Sequence, residues 1–228
     1  MTDRHIVITG VSGGLGRHLA MCAVQKGYGV TGLCRTPPAD IPCQMLACDV
    51  SVAEQVADCF AQLRHIPLWA VINAAGVAAM NLTLTTPPET MRRIVEVNLL
   101  GTMYCSAQAG RLLARRKGGR IINFSSIAVA LGLEGESAYV AAKAGVEGFT
   151  RAFSREMSSF GVTVNAVAPG PIPTQLTAGV PQRKIDALVE RQVVRRQGSP
   201  DDVWQTVQWL LDDASGMISG QCLHVGGV

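Results

Sequence analysis

Ile6-Val7-Ile8-Thr9-Gly10-Val11-Ser12-Gly13-Gly14-Leu15-Gly16 passes from three β-branched residues into a glycine-rich turn. Apolar residues then recur at helical spacing to about Lys26, so the segment reads as strand, turn and helix. Glycines let backbone come close to a pyrophosphate, and the first turn of the helix offers it unpaired N–H groups and the positive end of a dipole. Gly10, Ser12, Gly13, Gly14, Leu15 and Gly16 are therefore candidate dinucleotide contacts. A purely structural glycine turn would look the same in isolation, and the flanking strand and helix favour the binding reading.

Further along, Tyr28 to Cys34 reads as a second strand ending at Arg35. An acid there would take the ribose hydroxyls of NAD, whereas an arginine suits the extra phosphate of NADP. No acid comes before Asp40, which favours NADP(H), with a solvated surface arginine as the alternative. Thr36 to Pro42 holds Pro37, Pro38 and Pro42 and cannot be a helix, so it should run extended to a strand near Cys43 to Ala47. Asp49 and Val50 end that strand. Ser51 to Leu63 is an amphipathic helix with Ser51 as N-cap and Glu54 at the capping-box position. Leu68 to Ile72 is a buried strand that stops at Asn73-Ala74-Ala75-Gly76, small residues that leave room for a ligand ring or for tight packing. Pro88 to Arg116 is a long helical stretch bent around Asn98 and Gly101, since Asn disturbs a helix interior. Val162 to Val167 is the sixth strand. Pro169 to Thr174 is too proline-rich for regular structure. Gln175 to Arg196, helical from about Arg183, looks like a lid. Ser199-Pro200-Asp201-Asp202 starts a helix with Ser at the N-cap, Pro at N1 and an acid at N3, and Gly220 to Val225 closes the chain as a strand. No repeat or linker divides residues 1–228. The expectation is one α/β domain, a Rossmann-type doubly wound parallel sheet of about seven strands with helices on both faces.

The chemistry sits between Ser126 and Lys143. Tyr139-Val140-Ala141-Ala142-Lys143 lies in a helical run, so a spacing of four stacks the phenol and the ammonium on one face. A close ammonium lowers a phenol pKa from its usual ~10 and makes Tyr139 a candidate general acid/base. Ser126 follows the strand Arg120 to Phe124 and so stands at its carboxyl end, where open α/β sheets bind ligands. The pair alone is a weak motif, and its company decides its meaning.

Composition excludes several classes. A hydrophobic share of 48% supplies a large core, and a net charge of +3 is too mild to imply nucleic acid. The seven cysteines are odd in number and scattered, as expected of reduced thiols in a cytoplasmic protein. His5, His18, His65 and His224 show no metal-ligand spacing, so no metal is expected. Met1-Thr2-Asp3-Arg4-His5 has no signal pattern, and no apolar run is long enough to span a membrane.

In order, Thr9-Gly10 with Gly14 and Gly16, Asp49, Asn73 to Gly76, Asn98, Ser126, Tyr139 with Lys143, Pro169-Gly170 with Thr174, and Gly220 form a signature. Over nearly its whole length the chain resembles the short-chain dehydrogenase/reductase family. The resemblance implies Tyr139 as proton donor, Ser126 as hydrogen-bond donor to the same substrate oxygen, and Lys143 on the nicotinamide ribose. It implies Asn98 positioning a water that relays protons to Lys143. It also implies cofactor contacts from Arg35, Asp49, Val50, Asn73, Ala74, Ala75 and Gly76, together with Pro169, Gly170, Ile172 and Thr174. Ala74 replaces a commoner Asn. Tyr139 to Thr150, Gly161 to Gly170 and Ser219 to Val225 are similar to bacterial 3-oxoacyl-[acyl-carrier-protein] reductases, enzymes of fatty acid biosynthesis. That resemblance implies an NADP(H)-dependent reductase of a 3-oxoacyl thioester; the alternatives are the same chemistry on another small-molecule ketone or alcohol, such as a sugar or secondary metabolite, and a non-catalytic dinucleotide sensor, which the presence of both Tyr139 and Lys143 disfavours. Arg115, Arg116 and Lys117 lie where those enzymes meet acyl carrier protein, although Phe160 stands where they carry an arginine, and a basic cluster also suits a helix C-terminus. The apolar helices from Met91 to Leu113 and from Ala138 to Phe153 imply a homodimer or homotetramer.

Overall fold

The computed structural model describes residues 4–228, so the reading of Met1-Thr2-Asp3 lies outside it. β1 (His5–Thr9) leads through the glycine turn into α1 (Gly14–Gln25) and β2 (Gly29–Cys34). No helix follows β2, because the prolines of residues 36–42 lack the N–H groups a helix ladder needs, and turns run directly to β3 (Gln44–Ala47). Next come α2 (Ala53–Gln62), β4 (Leu68–Asn73), α3 (Pro88–Val95), α4 (Gly101–Arg116) and β5 (Gly119–Phe124). The chain continues as α5 (Ile127–Leu131), α6 (Ser137–Met157), β6 (Val162–Pro169), α7 (Gln182–Glu190), α8 (Pro200–Leu211) and β7 (Cys222–Val225).

Seven strands, all parallel, form one sheet in the order β3-β2-β1-β4-β5-β6-β7. The chain starts in the middle, runs outward to β3, and returns to lay β4 against β1. That reversal opens a crevice beyond the carboxyl ends of β1 and β4. The strands are apolar on both sides because both sides are covered. Ile6, Ile8, Ile72 and Ile122 pack with Leu19 and Ala23 of α1 and Val207 and Leu211 of α8. Val7, Val71, Ile121 and Val164, one step out of phase, pack with Phe60 of α2, Leu113 of α4 and Met157 of α6.

The bend expected at Asn98 is a π turn, Glu96–Leu100, joining α3 to α4, with the Gly101 N–H reaching back five residues to the Glu96 carbonyl. Asn98 fits this irregularity because its amide donates to the Ile94 carbonyl at 2.9 Å. Thr102 in turn donates to the Asn98 carbonyl at 2.9 Å.

One expected cap is corrected. α2 begins at Ala53 with Val52 at its N-cap, and Ser51 makes no capping bond. The Ser51 hydroxyl donates instead to Asp49 Oδ1 at 2.6 Å and accepts from Arg93 at 2.6 Å. A charge-assisted bond to a carboxylate outcompetes a backbone N–H. The cap at α8 is as expected: Ser199 Oγ accepts from the Asp202 N–H at 3.2 Å, and the Ser199 N–H donates to Asp202 Oδ2 at 2.7 Å. Ser199→Ala removes the first of these bonds and should lower stability by about 1 kcal/mol in urea denaturation, whereas Ser51→Ala should leave α2 capping untouched.

Candidate active site

Two turns of α6 and the end of β5 build the centre of the site. Tyr139 and Lys143 share the buried face of α6 at 7% and 4% exposure. The Lys143 ammonium donates to the Phe124 carbonyl, the last of β5, at 2.8 Å, and lies 5.8 Å from the centroid of the Tyr139 ring. Ser126 follows at the N-cap of α5, where its Oγ accepts from the Ala128 N–H at 3.1 Å. Its hydroxyl also lies close enough to the Tyr139 phenol to affect that group's proton affinity. The expected trio thus meets in one place.

Asn98 closes the far wall. Its Oδ1 accepts from the Val77 N–H at 3.2 Å and its Nδ2 donates to the Val77 carbonyl at 2.7 Å. Gly76 lies between Asn98 and Lys143, where a Cβ would come within 2.9 Å of Asn98 Oδ1 and 3.8 Å of Lys143 Nζ. Any side chain there would fill the space in front of the lysine.

The electrostatics differ from the expected ammonium-lowered phenol. Burial pushes Tyr139 up to about 12, the Glu136 carboxylate adds to the rise, and only the Ser126 hydroxyl opposes it. Lys143 gives no relief because burial brings its own value down to about 8 and its donor is engaged by Phe124. Burial likewise raises the Glu136 carboxyl, with Lys184 of α7 opposing.

The residues of the crevice fit a dinucleotide. Gly10 is in the left-handed region with φ of +76°, and a Cβ there would collide with the Ala75 backbone at 2.7 Å, so the glycine turn and the end of β4 need this glycine to lie together. The first turn of α1 has no side-chain cap, which leaves backbone N–H groups for a phosphate. Thr174 and Gln175 lie over Gly14 and Gly13, where added Cβ atoms would be 3.5 Å from Thr174 Cβ and 2.8 Å from Gln175 Oε1.

Other expected contacts have different partners. The Asp49 carboxylate accepts from the Ser51 N–H at 3.0 Å and from Arg93 at 3.0 Å, bonds that with the Ser51 hydroxyl hold it below the usual carboxylate range against burial. The Asn73 side chain turns into the scaffold, donating to Ser106 at 2.9 Å and to Asn123 at 2.8 Å, so only its backbone remains for the crevice. Val50 packs against Gly101. Arg35 is exposed, and Asp40 pairs with Arg17, whose Nη1 donates at 3.0 Å. Thr177, which the sequence reading passed over, donates to the Ile172 carbonyl at 2.7 Å and accepts from the Thr174 N–H at 3.1 Å, tying together two residues expected to contact the cofactor. Glu136 was also passed over, although a carboxylate three residues before Tyr139 shares its helical face. It lines a cavity of ≈ 220 Å³ with Asn81, Thr83, Thr86, Ser137 and Ile94. Ala79, Met91 and Ala138 complete its largely apolar wall, and Ile94 packs with Tyr139, so this space adjoins the trio.

A family model described as enoyl-(acyl carrier protein) reductase matches residues 10–227. The chain is 31% identical to the 3-oxoacyl-[acyl-carrier-protein] reductase FabG of Staphylococcus epidermidis, covering 99% of this chain and 98% of that one. It is 35% identical to carbonyl reductase family member 4 of Danio rerio, covering 99% and 97%. Among solved structures, a putative NAD(P)-dependent gluconate 5-dehydrogenase from Beutenbergia cavernae with bound NADP superposes with a TM-score of 0.92 at 27% identity, covering 98% of this chain and 95% of that one.

Lys143 binds its proton less tightly folded than unfolded. Between about 8 and the ordinary 10.5 the unfolded chain therefore holds more protons, and this group's contribution to stability rises with pH. The stability difference between wild type and Lys143→Met in urea should be flat below about pH 8 and climb above it by at most ~1.4 kcal/mol per unit. A difference that stays level throughout would mean that the ammonium is not desolvated.

Proposed function

The chain belongs to the short-chain dehydrogenase/reductase family and is an oxidoreductase, and on that premise we propose that it uses NADPH to reduce the ketone of a 3-oxoacyl thioester to the 3-hydroxyacyl form. The observation that carries the reading is the meeting of Ser126, Tyr139 and Lys143 in a buried cleft beside Gly76. A bound nicotinamide dinucleotide would supply the hydride. Tyr139, pushed up to about 12, is protonated at neutral pH and donates to the substrate oxygen as negative charge develops there. Ser126, fixed by its N-cap bond, gives that oxygen a second hydrogen bond. Lys143, cationic below about 8, would hold the nicotinamide ribose, and Asn98 would position a water that relays protons to Lys143. Arg35, with the nearest acid tied to Arg17, favours the NADP phosphate.

The thioester substrate rests on the full-length likeness to the staphylococcal enzyme. Free cysteines throughout suit a reducing cytoplasm, and no helix among the described residues is long and apolar enough to cross a membrane. Arg115 and Lys117 at the end of α4 are exposed and offer charge to an acidic carrier protein, and a second copy of the chain would pack on α4 and α6. A second reading, a small hydroxylated ketone, is favoured by the polar groups of Asn81, Thr83, Thr86, Glu136 and Ser137, which stand among the apolar Ala79, Met91, Ile94 and Ala138 of the same cavity.

A screen of NADPH and NADH against acetoacetyl thioesters and polyhydroxy ketones separates the two. The first reading predicts turnover of the thioester with NADPH, and turnover confined to hydroxylated ketones would replace it with the second. Tyr139→Phe should cost about 10²- to 10⁴-fold or more in kcat with dinucleotide affinity unchanged. Arg35→Ala should weaken NADPH by about 10- to 100-fold and leave NADH alone.

A further inference from the structure

Along β7 alternate residues face opposite sides of the sheet. Leu223 and Val225 join the core against α1 and α8, which turns Cys222 and His224 to the α6 side. On α6, Glu147 stands one helical turn beyond Lys143 and reaches the same spot. The donor atoms of Glu147, Cys222 and His224 all lie within 4.8 Å of one another, and each side chain is partly shielded from solvent. Glu147 Oε1 accepts from the Ser125 hydroxyl at 2.7 Å, and the carboxylate lies close enough to Cys222 to raise its thiol. On its outer side Glu147 Oε2 faces the exposed Arg151 at 3.9 Å. The proposed reduction uses none of these groups.

We propose that Glu147, Cys222 and His224 bind a thiophilic divalent cation of the Zn²⁺ type through one oxygen, one sulfur and one nitrogen, with water or the Ser125 hydroxyl completing a tetrahedron. Three protein ligands of mixed oxygen, nitrogen and sulfur type suit zinc, and bonds of about 2.0–2.3 Å put tetrahedral donors roughly 3.2–3.8 Å apart. The observed donors, within 4.8 Å of one another, are at most about 1 Å wider than the upper end of that spacing. The Cys222 thiol gives its proton to solvent as the metal–sulfur bond forms, and the carboxylate and thiolate together neutralise the cation. Occupancy would draw Glu147 off Ser125, the residue between the carbonyl that holds Lys143 and Ser126. Sequence spacing could not show this site, because strand alternation and helix pitch bring the ligands together only in the fold.

A second group, His18, Cys22 and Asp201, also clusters, but its aspartate is 74% exposed and already pairs with His18 at 2.9 Å, as a surface ion pair does. The test therefore uses full-length protein carrying His18→Ala and Cys22→Ser, titrated with Co²⁺ under reducing conditions. One equivalent should bind with a sulfur-to-cobalt charge-transfer band, and Zn²⁺ should displace it. Adding Cys222→Ser should abolish the band, and Glu147→Gln or His224→Ala should each weaken binding at least ~10-fold. No band in the parent, or a band that survives Cys222→Ser, overturns the proposal. If Cys222→Ser folds poorly by circular dichroism, His224→Ala decides, since it keeps the thiol and an unchanged affinity there overturns the proposal equally.

Discussion

An ammonium withdrawn from water with a single carbonyl for company sets the terms for everything around it. Lys143 is 4% exposed, and the bond to Phe124 at 2.8 Å is what keeps it at the end of β5. Burying a cation costs several kcal/mol unless polar partners replace its hydration. One hydrogen bond replaces only part of that hydration, so the group's proton affinity falls. A residue held so uneasily requires a rigid surround. Helix α6 supplies one side, β5 the second, and the Gly76 to Asn98 wall the third, where Asn98 is itself pinned by both backbone groups of Val77. The π turn belongs to the same account: it is the irregularity that lets an asparagine sit mid-helix with its side chain bonded to Ile94 and Val77 at once.

Beneath that surround lies a buried polar network. Asn73 donates to Ser106 and Asn123, Ser106 donates to Asn123 at 3.3 Å, and Asn123 donates to Thr150 at 2.9 Å, joining β4, β5, α4 and α6. In a low-dielectric interior such bonds hold register well when satisfied and cost free energy when one is missing. Asn73 Oδ1 has no partner among the described residues, so the network is one bond short of complete. It couples the position of α6, and with it Tyr139 and Lys143, to the strand whose end forms the crevice. The Asn73 side chain therefore acts through the scaffold, and its backbone is the part left to face the crevice.

How much of this the sequence disclosed follows from which interactions are local. The strand, glycine turn and helix at Ile6 to Gly16, the proline-blocked link after β2, the cap at Ser199 and the bend at Asn98 are all decided within a few residues, and each is found where the pattern puts it. The Tyr139 and Lys143 face follows from helix pitch alone. What escaped depends on competition between side chains and on burial, which no periodicity in the sequence announces. Ser51 looked like a cap because the carboxylate and guanidinium that claim its hydroxyl come from Asp49 and from Arg93 on a different helix. The phenol's rise escaped because pitch puts the ammonium near the ring, while burial and Glu136 decide the balance. Thr177 escaped because its partners are backbone groups in a turn with no periodicity to read.

Substrate choice turns on the same distinction between scaffold and wall. The segments most like the 3-oxoacyl reductases form α6, β6 and β7, which carry one side of the sheet together with Tyr139 and Lys143. The cavity beside Tyr139 is lined by the first turn of α6, by Met91 and Ile94 of α3, and by the loops before both helices, whose sequence is free to vary without disturbing that frame. Its polar groups include a carboxyl that burial raises and Lys184 of α7 opposes. An acyl chain entering there must cover Thr83, Ser137 and Glu136 with methylenes, and Thr83 and Ser137 already satisfy each other at 2.8 Å. That mutual bond lowers the cost of burying both hydroxyls under an apolar chain. Glu136 has no such internal partner in the wall, so it is the residue on which tolerance of a methylene chain depends.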